Sequence, residues 1–513
     1  MVSTTSEIDT LRNFLHSPES LDATELADTL GIINISIEGP NGEQIKQSFL
    51  NNITLSEFFT LLGSHSDAVT STACKILEKL LQSMNYTDII SSGLEEHLTL
   101  GLQFSSSEVR ILALCQVEKC LESGTAVQDL VRSPIFPVIL EGLGYEDIQI
   151  SAKATEFLIK LANHSDGLHA IFDSGSIAIL NQLSQGNETV KFRVFDLISR
   201  ISISSPEAFQ LCESSGALNA ITSEFNSNDL LLKLNAIETF SKINQSYAGY
   251  IFLERARILQ SLIDVMTQDD DGDIVLVLVK CAALKFFGKL SEMEEVDFAE
   301  VNDKYKILSI IDSNLLSPNL DLKITTINII GVIGSNPRGL KLLNADETPD
   351  ILGNFMDLYH HSAGDIKMAC LQTISCLFGV SENPSPELSD IIHQIYFQIG
   401  GAPTPLSTLI SNVKQTLEDL RIASFAIMQK MALHPWGQTE MSNSKEFIDY
   451  ILNRTTETTK LGKEWKFTIV QTLVNAHNVE NIIPPNIFDR LTRYLREGPF
   501  YVRTEATVAF ESA

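Results

Sequence analysis

The sequence is short of positive charge. Its 513 residues hold 37 Lys and Arg against 65 Asp and Glu, a formal net charge of -28. It therefore lacks the basic face that phosphate contacts need, which excludes a general nucleic-acid binder. Cysteine is sparse and odd in number, with 7 residues, and Cys74, Cys115, Cys120, Cys281, Cys370 and Cys376 fall inside apolar helical patterns as small core residues. That argues against a disulfide framework and for a reducing cytosol or nucleus. No uninterrupted run of about eighteen apolar residues occurs. The nearest, IVLVLVKCAALKFF from Ile274, is broken by Lys280 and Lys285, so no membrane span or membrane partner is expected. The first twenty residues show neither a basic stretch leading into an apolar one nor an Arg-rich transit pattern, and no secretory or mitochondrial address is visible. The sequons at Asn85 and Asn187 are then expected to stay unmodified.

Motifs for chemistry are missing as well. Gly462-Lys463 lacks the upstream glycine of a phosphate-binding loop, Gly142-x-Gly144 lacks the third glycine of a dinucleotide fingerprint, and there is no Gly-x-Ser-x-Gly. His360-His361 and His164/His169 do not have the i, i+4 spacing that sets two imidazoles over one metal. Carboxylate pairs such as Glu294-Glu295 are expected on a solvated face, and the acidic run Asp269-Asp270-Asp271-Gly272-Asp273 lacks the bidentate Glu of a calcium loop. No catalytic residue, cofactor or metal is expected, and the chain does not read as an enzyme.

What is present is a repeat. With 44% apolar and 20% charged residues, the chain can build an extensive core. A β-branched or large apolar anchor is followed by a small or short residue four later and by apolar residues eight and eleven later, all on one helix face. The series runs Val69/Ala73/Leu77/Leu80, Val109/Ala113/Val117/Cys120, Ile150/Ala154/Leu158/Leu161, Val190/Val194/Ile198/Ile201 and Leu232/Ala236/Phe240/Ile243. It continues Val279/Ala283/Phe287/Leu290, Leu322/Thr326/Ile330/Ile333, Ile366/Cys370/Ile374/Leu377, Leu420/Ser424/Met428/Met431 and Trp465/Ile469/Leu473/Ala476. Anchor spacings of 40, 41, 40, 42, 47, 43, 44, 54 and 45 residues match armadillo or HEAT units of two or three helices, each too thin to bury its stripe alone. Ser-Gly pairs at Gly93, Gly175 and Gly216 keep the same beat and predict left-handed turns between a first and a second helix; Pro134 takes that role in one unit. The expected fold is an all-α armadillo/HEAT-like α-solenoid, a right-handed superhelix of about ten to twelve repeats. Its expected parts are an N-terminal cap over 1–60 that absorbs the β-branched run Ile32 to Ile37, regular repeats over 61–380, and an irregular C-terminal stack over 381–513, in one continuous solenoid. The two long spacings predict enlarged loops at Asp269–Asp273 and around Asn383-Pro384-Ser385-Pro386 and Pro403-Thr404-Pro405. Leucine pairs at 61–62, 80–81, 231–232, 315–316 and 342–343 fall on or beside the pattern and are expected to pack inside, not to serve as trafficking signals.

Basic residues recur in two columns. Ten after the anchor lie Lys79, Lys119, Lys160, Arg200, Lys242 and Lys289 in six consecutive repeats, and Lys430 in the ninth. With 37 basic residues in 513, ten random positions hold fewer than one. The column lies about 120° from the buried stripe, at the register where the importin-α group carries an asparagine ladder. The tryptophan register of that group holds Lys75, Cys115, Glu156, Asp196, Glu238 and Lys285, so its groove for basic signals is missing. A cationic row suits an acidic partner segment; equally, Glu156/Lys160, Asp196/Arg200 and Glu238/Lys242 have the spacing of ion pairs within one helix. Directly after the anchor a second column (Arg110, Lys191, Lys233, Lys280, Lys323, Lys367, Arg421, Lys466), often preceded by an acid (Glu108, Asp321, Asp365, Asp419, Glu464), resembles the Asp/Arg ladder that ties HEAT repeats together.

Several segments carry a family resemblance. The run Arg490-Leu491-Thr492-Arg493-Tyr494-Leu495-Arg496-Glu497-Gly498-Pro499-Phe500-Tyr501-Val502 is similar to the closing segment of the 26S proteasome non-ATPase regulatory subunit 5 family. Ser204-Ser205-Pro206-Glu207, Lys285-Phe286-Phe287-Gly288-Lys289-Leu290, Gly334-Ser335-Asn336 and Pro435-Trp436 resemble it in the same order. The first 60 residues, around Gly39-Pro40-Asn41-Gly42, match least. The resemblance implies an assembly chaperone of the regulatory particle base. Such a protein holds a proteasomal ATPase subunit by its C-terminal domain, alongside another ATPase and a base non-ATPase subunit, and leaves before the particle is complete. It implies a protein of the cytoplasm, with the nucleus as a second compartment, monomeric before it meets its partners. The alternative on the same fold is an armadillo-type adaptor or tether in vesicle traffic or nuclear transport.

Overall fold

Apolar residues at 0, 4, 8 and 11 cover three turns of one helix face, and the chain forms a helix at each of the ten anchors. The computed structural model describes residues 2–17, 22–269, 272–345, 349–381, 384–476 and 479–501. The anchor helices, numbered here α1 to α10, are Asp67–Leu81, Ser107–Glu118, Ile148–Leu161, Glu188–Ser202, Leu230–Ile243, Ile274–Ser291, Leu320–Gly334, Gly364–Phe378, Glu418–Met431 and Lys460–Asn475. Every template residue is buried except Leu232, Ile366, Leu420, Trp465 and Ala476, which are half-buried. Each large aliphatic so covered contributes roughly 1.5–3 kcal/mol. Two shorter helices precede each anchor helix from α2 onward, for example Tyr86–Ser91 and Glu95–Leu102 before α2, and Pro435–Asn443 and Lys445–Leu452 before α10. This is the three-helix armadillo unit. Among the described residues there is no strand, and Ile32 to Ile37 lies inside the helix Ala23–Glu38.

Polar loops before the anchors end in residues that start helices. Asp147, Asn187, Asp229, Asp273, Asn319 and Thr459 accept backbone N–H bonds at the first turns of α3, α4, α5, α6, α7 and α10, each cap being worth about 1 kcal/mol. Asp273 thus gives the acidic run a structural task, while Asp270 and Asp271 lie outside the described residues. The 47-residue spacing is only partly a loop, because α6 begins five residues before its anchor. Likewise the 54-residue spacing contains a 13-residue helix, Pro386–Gln398, where shorter ones stand elsewhere; Asn383 is outside the described residues.

Gly93 and Gly216 take the predicted left-handed conformation, with φ of 77° and 79°. Gly175 does not. Asp173 accepts the Ser176 N–H at 2.7 Å and starts the helix Ser174–Ser184 ahead of the glycine, so no left-handed residue is needed. In two later units the same turn is made by non-glycine residues, Arg257 at φ 60° and Lys306 at φ 55°. Two other expectations fail locally. Cys376 is exposed, not a core residue, and Leu231 and Leu316 are 58% and 84% exposed, because Cys376 and Leu231 lie outside their helices' buried arcs and Leu316 stands just past the end of the helix Ile307–Leu315.

The chain gathers into two compact units, Met1–Glu224 and Phe225–Ala513. In the first, the helix Ala23–Glu38 packs on α1, and α1 to α4 stack in order. In the second, α5 to α10 stack in order, with the helix Pro485–Glu497 packed against α10.

Candidate partner-binding surface

The column ten after the anchor projects toward the preceding repeat. Lys79 of α1 donates to Asn34 Oδ1 at 2.6 Å and pairs with Glu38 at 2.5 Å on the helix before it. Lys119, just past α2, donates to the carbonyls of Leu81 and Met84, and burial pulls its ammonium below the usual lysine range. Lys160 of α3 pairs with Glu118 of α2 at 2.6 Å, and Arg200 of α4 grips both oxygens of Glu156 of α3 at 2.6 and 3.1 Å. Glu156 therefore serves the next repeat, not Lys160 on its own helix. Asp196 does stay within reach of Arg200, at 3.7 Å. Four of the six residues thus join successive repeats of the first unit. Lys242 and Lys289, in the second unit, line an open groove.

The column directly after the anchor is structural, though not through the acids that precede the anchors. Arg110, Lys280, Lys367 and Arg421 reach back to the segment before their own helix. Arg110 donates to the Phe104 carbonyl and stacks 4.2 Å from the Tyr145 ring, and Lys280 donates to the Gln268 carbonyl. Lys367 donates to Tyr359 O at 2.6 Å and Arg421 to Thr416 O at 2.9 Å. These are carbonyls at or beyond helix C-termini, which no longer have a helical partner and which carry the negative end of the helix dipole. Lys191 pairs with Glu224 at 3.1 Å, and Arg421 with the buried Glu457 at 3.0 Å. None of Glu108, Asp321, Asp365, Asp419 and Glu464 is the partner of a cation in this column among the described residues.

The groove is an open concave surface in the second unit. It encloses 640 Å³ between α5, α6 and α7, with Leu234, Ile237, Leu278, Cys281, Ile329 and Val332 as its apolar lining. Lys242, Lys285 and Lys289 stand over it together with Glu238 and Glu292. The apolar part escaped the sequence reading, which tracked the buried arc only. Its signal was present in Leu278 and Ala282, apolar residues one turn apart on the opposite arc of α6. Among the described residues no cluster of three or more His, Cys, Asp or Glu could hold a metal ion, and no helix is long and apolar enough to cross a membrane. His360 and His361 bond to backbone carbonyls, of Gln398 and Asp357, each at 2.7 Å.

Residues 10–513 match the family described as proteasome non-ATPase 26S subunit. The chain belongs to that family. Similar relatives within reach of the proteasome non-ATPase 26S subunit family include the 26S proteasome non-ATPase regulatory subunit 5 of Bos taurus, 26% identical over 483 residues, covering 91% of this chain and 95% of the relative. The Homo sapiens protein of that name is 26% identical and covers 90% and 91%; that of Drosophila melanogaster is 22% identical and covers 87% and 85%. Among solved structures, Kap95p in a study of its binding to RanGDP aligns with a TM-score of 0.58 at 12% identity, over 95% of this chain and 65% of that one. Yeast importin-β (Kap95p) aligns at 0.54 and 11%, over 92% and 63%. At such identity the likeness is one of fold, a HEAT/armadillo solenoid.

The segments that carry the family resemblance have physical tasks here. Ser205 caps the helix opening at Pro206, and Asn336 caps the one opening at Pro337. The closing segment is held by Arg454, which donates to the carbonyls of Tyr494 and Gly498, pairs with Glu497 at 3.1 Å and lies 4.0 Å from the Tyr494 ring. Val502, the last residue of that segment, lies outside the described residues.

Proposed function

We propose that the protein is an assembly chaperone for the base of the 26S proteasome regulatory particle. It holds a proteasomal ATPase subunit through that subunit's C-terminal domain, together with a base non-ATPase subunit, and leaves before the mature particle forms. It works as a scaffold without turnover chemistry, monomeric before binding, in the cytoplasm and nucleus. The observation that carries this reading is the family match, which runs over residues 10–513 and is not confined to one repeat, so the whole solenoid belongs with proteasomal proteins. Stacked repeats supply the extended, mostly preformed surface that such a role needs. In the first unit Lys79, Lys119, Lys160 and Arg200 already have partners within the solenoid, so reversing their charge would weaken repeat stacking before it reported on binding.

The test is affinity capture of the tagged chain with mass spectrometry, followed by native electrophoresis of the captured material. ATPase subunits and a base non-ATPase subunit should be recovered in a species smaller than the complete particle. Stable residence in the complete particle, or recovery of vesicle-coat or nuclear-transport proteins without ATPases, would overturn the proposal.

A further inference from the structure

Helix α6 carries a second stripe opposite its buried one. Ile274, Leu278, Ala282, Lys285 and Lys289 stand at 0, 4, 8, 11 and 15 along it, which holds them within about 80° of arc. Ile274 is 72% and Leu278 44% exposed. Lys285 and Lys289 are exposed and form no ion pair among the described residues, unlike Lys160 and Arg200 in the first unit. The stripe is therefore apolar toward the N-terminus of α6 and cationic toward its C-terminus.

Of the two neighbouring helices, α5 repeats the cationic C-terminal end through Lys242, and α7 has no cation in its C-terminal half. At the N-terminal edge stand the exposed capping carboxylates Asp229 of α5 and Asp273 of α6, and Asp321 in the first turn of α7. Among them lie the exposed side chains Leu231, Leu316 and Leu320. At the other end Lys242, Lys285 and Lys289 line the groove, where Glu238 and Glu292 offset part of their charge. The surface thus has an acidic end, an apolar middle and a basic end. Exposed aliphatics gathered at one edge of three stacked helices mark a contact surface.

We propose that this surface docks one amphipathic helix of a partner protein, laid antiparallel to α6, acidic in its N-terminal half and basic in its C-terminal half. The span from Ile274 to Lys289 is about 22 Å at 1.5 Å per residue, so the docked helix has roughly fifteen residues. Antiparallel docking sets the partner's acidic turns over Lys285 and Lys289 and its basic turns over Asp229 and Asp273. That charge order also suits a helix's own dipole, so the partner helix is one that holds its shape before binding. The proposal stands on the groove itself and does not require the partner to be proteasomal.

The probes are two fluorescein-labelled sixteen-residue peptides of identical composition, with leucines on one face, one with Glu in the first half and Lys in the second, the other with that order reversed. Their binding to the full chain is read by fluorescence anisotropy at low salt, and sedimentation velocity is run on the chain alone. The Glu-first peptide should bind at least about tenfold more tightly. In the Lys285→Glu/Lys289→Glu variant the two peptides should come within about twofold, with far-UV circular dichroism and thermal midpoint unchanged. Because the Glu-first peptide is also the better isolated helix, the change on charge reversal is the decisive reading. Equal binding of both peptides, binding of neither, or a preference that survives the reversal would overturn the proposal. So would a dimer of the chain that the same reversal dissolves, since a second copy would then be the occupant.

Discussion

Lys466 is 1% exposed, and its ammonium is held between Thr456 Oγ1 at 2.6 Å, Asn453 O at 2.5 Å and the Tyr450 ring at 5.2 Å. Burial pulls its pKa down from 10.5 to about 8, although Glu457 acts to raise it. The folded chain therefore releases this proton near pH 8, while the unfolded chain keeps it until about pH 10.5. Across that window the unfolded state binds more protons, so stability rises with pH; below pH 8 the full penalty of the buried charge is present. Compared with Lys466→Met, which has no proton to release, the wild type should gain about 2 kcal/mol between pH 8 and pH 10, since each pKa unit corresponds to about 1.4 kcal/mol. Urea melts of both proteins at a series of pH values measure it. A flat difference would mean that the ammonium is hydrated in the folded chain.

Glycines at one recurring position decide how closely a new repeat unit turns back on its anchor helix. Gly167, Gly249, Gly339 and Gly437 each stand 17 residues after an anchor, and a Cβ on Gly339 would lie 1.8 Å from the Ile333 carbonyl oxygen. Because the obstacle is backbone, it cannot rotate away, and Gly339→Ala should cost about 3 kcal/mol, visible as a lower urea midpoint with retained helicity. The reverse holds at Lys306, whose left-handed φ of 55° carries a steric cost for any residue with a Cβ. Lys306→Gly should stabilise by about 1 kcal/mol in the same assay; a loss would show that the side chain's contacts outweigh the backbone strain. These two positions also mark the limits of reading the fold from sequence. The ten anchor helices were legible because burial selects residue type at fixed spacing, and the turns at Gly93 and Gly216 because glycine advertises a left-handed backbone. Arg257 and Lys306 were not, since helix packing imposes their conformation against residue preference. The cationic column was legible as a column, yet its partners were not. Glu38, Glu118 and Glu156 lie 41, 42 and 44 residues before Lys79, Lys160 and Arg200, a distance that only stacking closes. The groove's apolar lining was missed for a related reason, because exposure is a property of the assembled helices and not of leucine or isoleucine.

A solenoid has no single core, so a local defect spreads only as far as neighbouring repeats depend on one another. The partition into Met1–Glu224 and Phe225–Ala513 sets an expected boundary for that spread. Arg421 is a suitable probe in the second unit. Its side chain is 11% exposed and pairs at 3.0 Å with Glu457, itself 2% exposed, so Arg421→Ala strands a buried carboxylate at a cost of about 3 kcal/mol. Amide hydrogen exchange read by mass spectrometry should then show faster exchange across α8, α9 and α10, fading toward α5, while protection of α1 to α3 is unchanged within error. Equal loss in α1 to α3 would show that the two units unfold as one cooperative body. Loss confined to α9 would show instead that each repeat opens alone, in which case the stacking of α5 to α10 carries little of the stability that their buried stripes imply.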